Sequence, residues 1–146
     1  MIFKENRAAF PLDSPPLLIT PDRNDLIAAL ENTQIEYKKI NDNRIAFFGK
    51  AFGCDIRFLF SIHFDSSKVR FIEILRDTKS CNSIEASFKE LSEILKKQYG
   101  EPHVVTSSSI GGLPCERWTT SDYILDHYTS DRFGITEHLR ISFNNK

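Results

Sequence analysis

The run Ile56-Arg57-Phe58-Leu59-Phe60-Ser61-Ile62-His63-Phe64 places an apolar side chain at every second position. Side chains alternate across a strand, so Ile56, Phe58, Phe60, Ile62 and Phe64 share one face and Arg57, Leu59, Ser61 and His63 the other. No helix gathers residues of period two on one side, so this chain must bury a sheet face. Asp65-Ser66-Ser67-Lys68 reads as a turn and 69–75 as the returning strand. An earlier hairpin is expected over 35–39 and 44–48, around Asn41-Asp42-Asn43. Four later strands are expected near 103–107, 115–120, 122–129 and 135–143, with 107–114, which contains Gly111-Gly112, as a loop.

Two segments switch to helical spacing. In Thr20-Pro21-Asp22, Thr20 is the expected cap, Pro21 suits the first helical position and Asp22 the positive end of the dipole. Leu26, Ile27 and Leu30 form the stripe of this helix, which should end near Asn32. The second helix is marked by Asn82 and Glu85, spaced as a capping box, and by Ile84, Phe88, Leu91, Ile94 and Leu95 on one face. Lys96 and Lys97 suit its negative end, Gly100 a left-handed stop, and Pro102 blocks continuation. Residues 1–19 combine Pro11, Pro15 and Pro16 with Phe3, Phe10, Leu12, Leu17, Leu18 and Ile19, which reads as an extended arm packed on the body.

The expected fold is therefore α+β, with two α-helices packed on a largely antiparallel β-sheet. Residues 20–146 form a single domain of two similar halves, about 20–78 and 79–146, each a helix followed by four strands. A repeat of about 64 residues sets His63-Phe64-Asp65-Ser66-Ser67-Lys68 opposite His127-Tyr128-Thr129-Ser130-Asp131-Arg132. At 146 residues, neither half is large enough to close a core alone. The formal charge of −1 provides no global field for nucleic acid or anionic lipid. The first residues lack an apolar signal core, and no run is long enough to cross a bilayer, so no membrane role is expected. Three widely spaced cysteines, Cys54, Cys81 and Cys115, suit a reducing compartment, so a cytoplasmic location is expected, with a single disulfide and one free thiol as the alternative.

The tandem helix-plus-four-strand order, with Lys96-Lys97-Gln98-Tyr99-Gly100-Glu101-Pro102 followed by Trp118, resembles the β-lactamase-inhibitor-protein-like group. That resemblance covers most of residues 20–143 and implies a non-catalytic binding surface on the sheet. No functional residue is carried over by motif.

Phosphate-binding, zincin and nucleophile-elbow motifs do not occur. Gly49 and Gly53 flank Lys50-Ala51-Phe52, but no helix follows to receive a phosphate. His63, His127 and His138 lie on expected strands and His103 begins one. Convergence on a metal with Cys54, Cys81, Cys115 or Asp126 is the alternative to structural histidines, although no pair has short ligand spacing. Cys81, just before the second helix, is the one thiol with an argument for activation. Glu73 with Asp77, and Asp122 with Asp126, read as solvated faces. Lys38, Lys39, Lys50, Arg57 and Arg70 offer a local basic patch, yet the regular phenylalanines are better explained by packing.

The outward set Arg57, Leu59 and His63, and a second cluster of Arg117, Trp118, Tyr123 and Tyr128, are the expected partner-binding residues. The alternative is that Leu59 and Trp118 lie beneath the N-terminal arm. The leading expectation is a non-enzymatic, cytoplasmic protein-binding module, of inhibitor or immunity type, that blocks a protein partner sterically. A homodimer is compatible with it, and no cofactor is implied. The alternative is a small-ligand or metal-binding domain with a pocket between helices and sheet.

Overall fold

A computed structural model describes residues 8–77, 83–107, 113–131 and 134–144. In chain order the elements are β1 (Phe10–Leu12), β2 (Leu17–Ile19), α1 (Arg23–Asn32), β3 (Lys38–Asn41), β4 (Arg44–Gly49), β5 (Phe58–Asp65) and β6 (Lys68–Arg76), then α2 (Ile84–Tyr99), β7 (Val104–Thr106), β8 (Cys115–Thr119), β9 (Tyr123–Asp131) and β10 (Ile135–Phe143). After the β1–β2 hairpin, a helix and four strands occur twice. All eight later strands join one sheet in the order β3-β4-β5-β6-β10-β9-β8-β7. Every pairing is antiparallel. The two runs of four meet through their last strands, where Ile72 faces Ile141 and Ile74 faces Leu139. All four of these side chains are buried, so the apolar core runs straight across the seam.

The core uses one face only. Phe58, Phe60, Ile62 and Phe64 of β5 join Ile45 and Phe47 of β4, Leu125 of β9 and Trp118 of β8, together with Leu26 and Leu30 of α1 and Leu91 and Leu95 of α2. Both helices therefore supply apolar side chains to the same side of the sheet. Phe47 stacks on Phe60 at 5.5 Å, and Phe58 meets Phe52 edge-on at 5.7 Å. Gly49 eases the approach of β4 to the N-terminal hairpin, because a Cβ there would lie 3.0 Å from the Ser14 carbonyl and 3.3 Å from the Phe60 ring, a contact that larger residues could make only by displacing these neighbours by a few tenths of an ångström.

The α1 cap lies two residues beyond the expected position and the α2 cap one residue beyond it. Asp22, not Thr20, caps α1, accepting from the Asp25 amide at 2.9 Å. The chain before it is engaged elsewhere: the Pro21 carbonyl accepts from Val69, and the Arg23 amide donates to Ser67. These bonds to the β5–β6 turn keep Pro21 outside the helix. Ser83 caps α2 through the Ala86 amide at 3.1 Å, while Asn82 lies outside the described residues. At the other end, Gly100 takes φ +85° and donates to the Lys96 carbonyl. The Trp118 indole in turn donates to the Gly100 carbonyl at 2.8 Å, tying the helix stop to β8.

The arm is not one extended run. β1 and β2 pair with each other, Phe10 opposite Ile19 and Leu12 opposite Leu17, and the hairpin is bonded to Lys50 through Asp13 and Ser14. Phe10 sits between Phe52 of the first half and Tyr123 of the second. The 64-residue alignment also needs correction. His63 points away from the helices while His127 is buried beneath them, so that offset pairs residues of opposite phase. A sheet face repeats every two residues, and a match that swaps faces is not a structural repeat.

Phe60 is fully buried between Phe47 and Phe58 at the centre of this one-sided core. Phe60→Ala should cost about 3–5 kcal/mol by opening a cavity that β-strands relax into poorly. Urea unfolding would show this as a lower midpoint at an unchanged slope.

Candidate functional site on the open sheet face

Because the helices occupy one side, the alternate side chains of every strand project to the other. One rung can be followed across all eight strands: Lys38, Ala46, Ser61, Glu73, Arg140, Asp126, Arg117 and Val104. Its centre alternates in charge, Glu73, Arg140, Asp126, Arg117, which favours the register because unlike charges face each other across strands. Arg117 and Asp126 close a bidentate pair at 2.7 and 3.1 Å. No member of the buried core cluster comes from this face. Among the described residues, no helix or strand packs over it.

The face is ordered by rings and guanidinium groups. Arg140 lies 3.8 Å from the centre of the Phe71 ring, and His63 stacks on Phe71 at 4.2 Å. Arg57 covers Phe48 at 3.9 Å and pairs with Asp77 at 3.1 Å. Tyr128 stacks on His138, whose Nε2 lies 2.6 Å from Ser130 Oγ. His138 Nδ1 stands 3.6 Å from Glu73, at ion-pair rather than hydrogen-bond distance, and is buried without a hydrogen-bond partner. That imidazole, outweighing burial, holds the Glu73 carboxyl below its ordinary value. Burial, reinforced by Arg44, Arg140 and Arg70 and opposed by Glu73, lowers His63 below its ordinary value.

The sequence-derived residues divide between the two sides of the sheet. Leu59 and His63 lie on the open face of β5, with Arg57 just before the strand. Arg117 and Tyr128 lie on the same face, on β8 and β9. Trp118 does not. It is fully buried on the helix side, because it alternates with Arg117, and Tyr123 is buried there with it. The basic patch is divided too: Lys50 pairs with Asp55 and Arg57 with Asp77. Loop residues 108–112 and Cys81 lie outside the described residues, and Cys54 and Cys115 are free thiols.

The histidines do not converge. His63 and His138 occupy the open face, His103 accepts from the Thr119 amide, and His127 is enclosed on the helix side. Among the described residues, no group of three or more His, Cys, Asp or Glu could hold a metal.

His127 instead centres a network that sequence reasoning missed. Its Nδ1 lies 3.0 Å from Glu116 and its Nε2 2.6 Å from Glu137. From α2, Ser92 donates to Glu116 at 2.8 Å, Ser87 donates to Glu137, and Phe88 stacks on the imidazole at 3.8 Å. Arg76 donates to Ser87 and pairs with Glu90. An imidazolium, donating from both nitrogens, satisfies both carboxylates. Burial works against this charge, yet Glu116 and Glu137 outweigh it and raise His127 above its ordinary value. Burial likewise pushes Glu116 up, but His127 and Ser92 outweigh that and hold it low. A signal was present in the sequence: Glu116 is in phase with Trp118, His127 with Leu125, and Glu137 with Leu139, so three polar residues fall on the apolar side.

No protein-family model and no curated protein matches this chain. The crystal structure of a DUF4309 family protein (YjgB) from Bacillus subtilis is similar at a TM-score of 0.41 and 17% identity, covering 84% of this chain and 78% of that one. No helix among the described residues is long and apolar enough to cross a membrane.

The buried network sets a pH window for stability. A raised histidine contributes fully below its unfolded value, about 6.5, and loses that contribution as pH rises through its folded value. A depressed carboxyl contributes above its unfolded value, about 4.3 for Glu, and loses it as pH falls through the folded one. The network's contribution to the thermal midpoint should therefore peak in mildly acidic solution and fall on both sides. His127→Gln should flatten the alkaline fall; a variant profile parallel to wild type would refute this. Glu116→Leu, which leaves His127 with one carboxylate, should cost about 3–5 kcal/mol near neutral pH.

Proposed function

We propose that this chain is a non-enzymatic protein-binding module whose open sheet face covers a partner. The observation that carries this reading is a face of half-exposed arginines and aromatic rings, already stacked on one another, beneath no described helix or strand. Arginine and aromatic side chains anchor protein interfaces, and prior ordering lowers the entropy lost on binding. Leu59, half-buried on this face, supplies apolar area beside the Arg57–Phe48 stack. An inhibitor or immunity-type role in the cytoplasm, with the architecture of the β-lactamase-inhibitor-protein-like group, is the specific form this reading takes.

The line Ser130, His138 and Glu73 has the residue types of a nucleophile, base and acid. It crosses neighbouring strands whose ladder pairing engages the backbone. Amides held in a ladder are not free to stabilise an oxyanion, which favours binding over acyl transfer.

Affinity capture from lysate of the protein's own source tests the proposal. Wild type should retain a stoichiometric protein at moderate salt, and the Arg57→Ala, Leu59→Ala double variant should lose it with its thermal midpoint preserved. Equal capture by the folded variant would remove this face from the interface.

A further inference from the structure

We propose that the partner presents an acidic peptide segment whose carboxylates dock on Arg44, Arg70 and Arg140 around the Phe71 ring. This rests on the open face being a protein-binding surface and adds the chemistry of what it receives. Arg44 is the strand partner of His63, His63 that of Phe71, and the guanidinium groups of Arg140 and Arg70 lie 3.8 and 5.9 Å from the Phe71 ring centre. The three cations thus surround one stacked pair of rings.

Among the described residues, no carboxylate lies within ion-pair distance of these three guanidinium groups. Arg57, Arg76 and Arg117 have carboxylate partners in Asp77, Glu90 and Asp126. Arg44 donates its Nε to Ser61 at 2.7 Å, which fixes its direction and leaves the outer nitrogens of the fork available. Arg140 stands in the rung between Glu73 and Asp126, but Glu73 lies against His138 and Asp126 is held by both arms of Arg117. A guanidinium held over an aromatic ring still offers N–H groups to a bidentate carboxylate.

The surroundings favour a peptide over a nucleic acid. Glu73 and Asp126 stand on either side of Arg140 in its rung and would repel a continuous phosphate backbone tracked across the strands. Phe71, Leu59 and Ile124 on this face instead suit apolar residues between spaced acids.

A titration of the full-length, ¹⁵N-labelled protein with an acetylated pentapeptide of alternating glutamate and leucine tests the proposal. The lysine–leucine pentapeptide and a single-stranded oligodeoxythymidylate serve as comparison probes. Saturable amide shifts centred on Arg44, Arg70, Phe71 and Arg140, weakening with salt, are expected from the glutamate peptide alone. Binding should fall about tenfold in the Arg44→Gln, Arg140→Gln variant. The exposed Arg70→Gln serves should the double variant fail to fold. Absent or non-saturable shifts, unchanged affinity in a folded variant, or tighter binding of the oligonucleotide at the same residues would overturn the proposal. Lost peptide binding beside intact, Arg57- and Leu59-dependent protein capture refutes the acidic chemistry alone. Failed capture refutes the broader reading.

Discussion

The junction between β6 and β10 is the constraint on which the rest of the molecule depends. Ile72, Ile74, Leu139 and Ile141 meet there as buried cross-strand neighbours, so the apolar faces of the two helix-plus-four-strand units become one surface. Each unit alone would leave this edge strand unpaired and its apolar side exposed to water. The N-terminal hairpin strengthens the union from above, with Phe10 touching Phe52 of one unit and Tyr123 of the other. Placing both helices over one side commits the opposite side to polar and half-exposed residues.

The two sides handle charge differently. Beneath α2, Glu116, His127 and Glu137 are enclosed, and their charges are tolerated only because each is bonded to another or to a serine of the helix. A network of this kind fixes how α2 sits on β8, β9 and β10, since sliding the helix would strand a buried charge. Apolar contacts alone would allow several such positions. On the open side, the Glu73, Arg140, Asp126, Arg117 rung pairs only in part, and among the described residues the arginines around Phe71 form no ion pair. The enclosed network serves the fold; the open side is the surface proposed above for recognition.

Much of the fold was legible because period and phase are local properties. The alternation over 56–64 set the buried and open faces of β5 correctly, and the stripe from Ile84 to Leu95 with the Gly100 stop marked α2 closely. The α1 cap was misplaced by two residues and the α2 cap by one; the choice between Thr20 and Asp22 depends on bonds from Pro21 and Arg23 to residues more than forty positions away. Of the expected surface residues, Arg57, Leu59, His63, Arg117 and Tyr128 reach the open face, whereas Trp118 lies on the other because adjacent strand residues point oppositely. The same phase rule applied to Glu116, His127 and Glu137 would have flagged three polar groups on the apolar side. It could not have shown that they touch.

The sequence by itself determined the elements, their order and which residues of each strand share a side, because these follow from side-chain spacing along a short stretch of backbone. Only the tertiary structure decided that the two units join through β6 and β10 and that His127 lies between two carboxylates. It also decided that Arg44, Arg70 and Arg140 gather around Phe71. Those relations are set by pairing between strands far apart in the chain. The register that creates them is selected by burial of the whole apolar face rather than by any one segment.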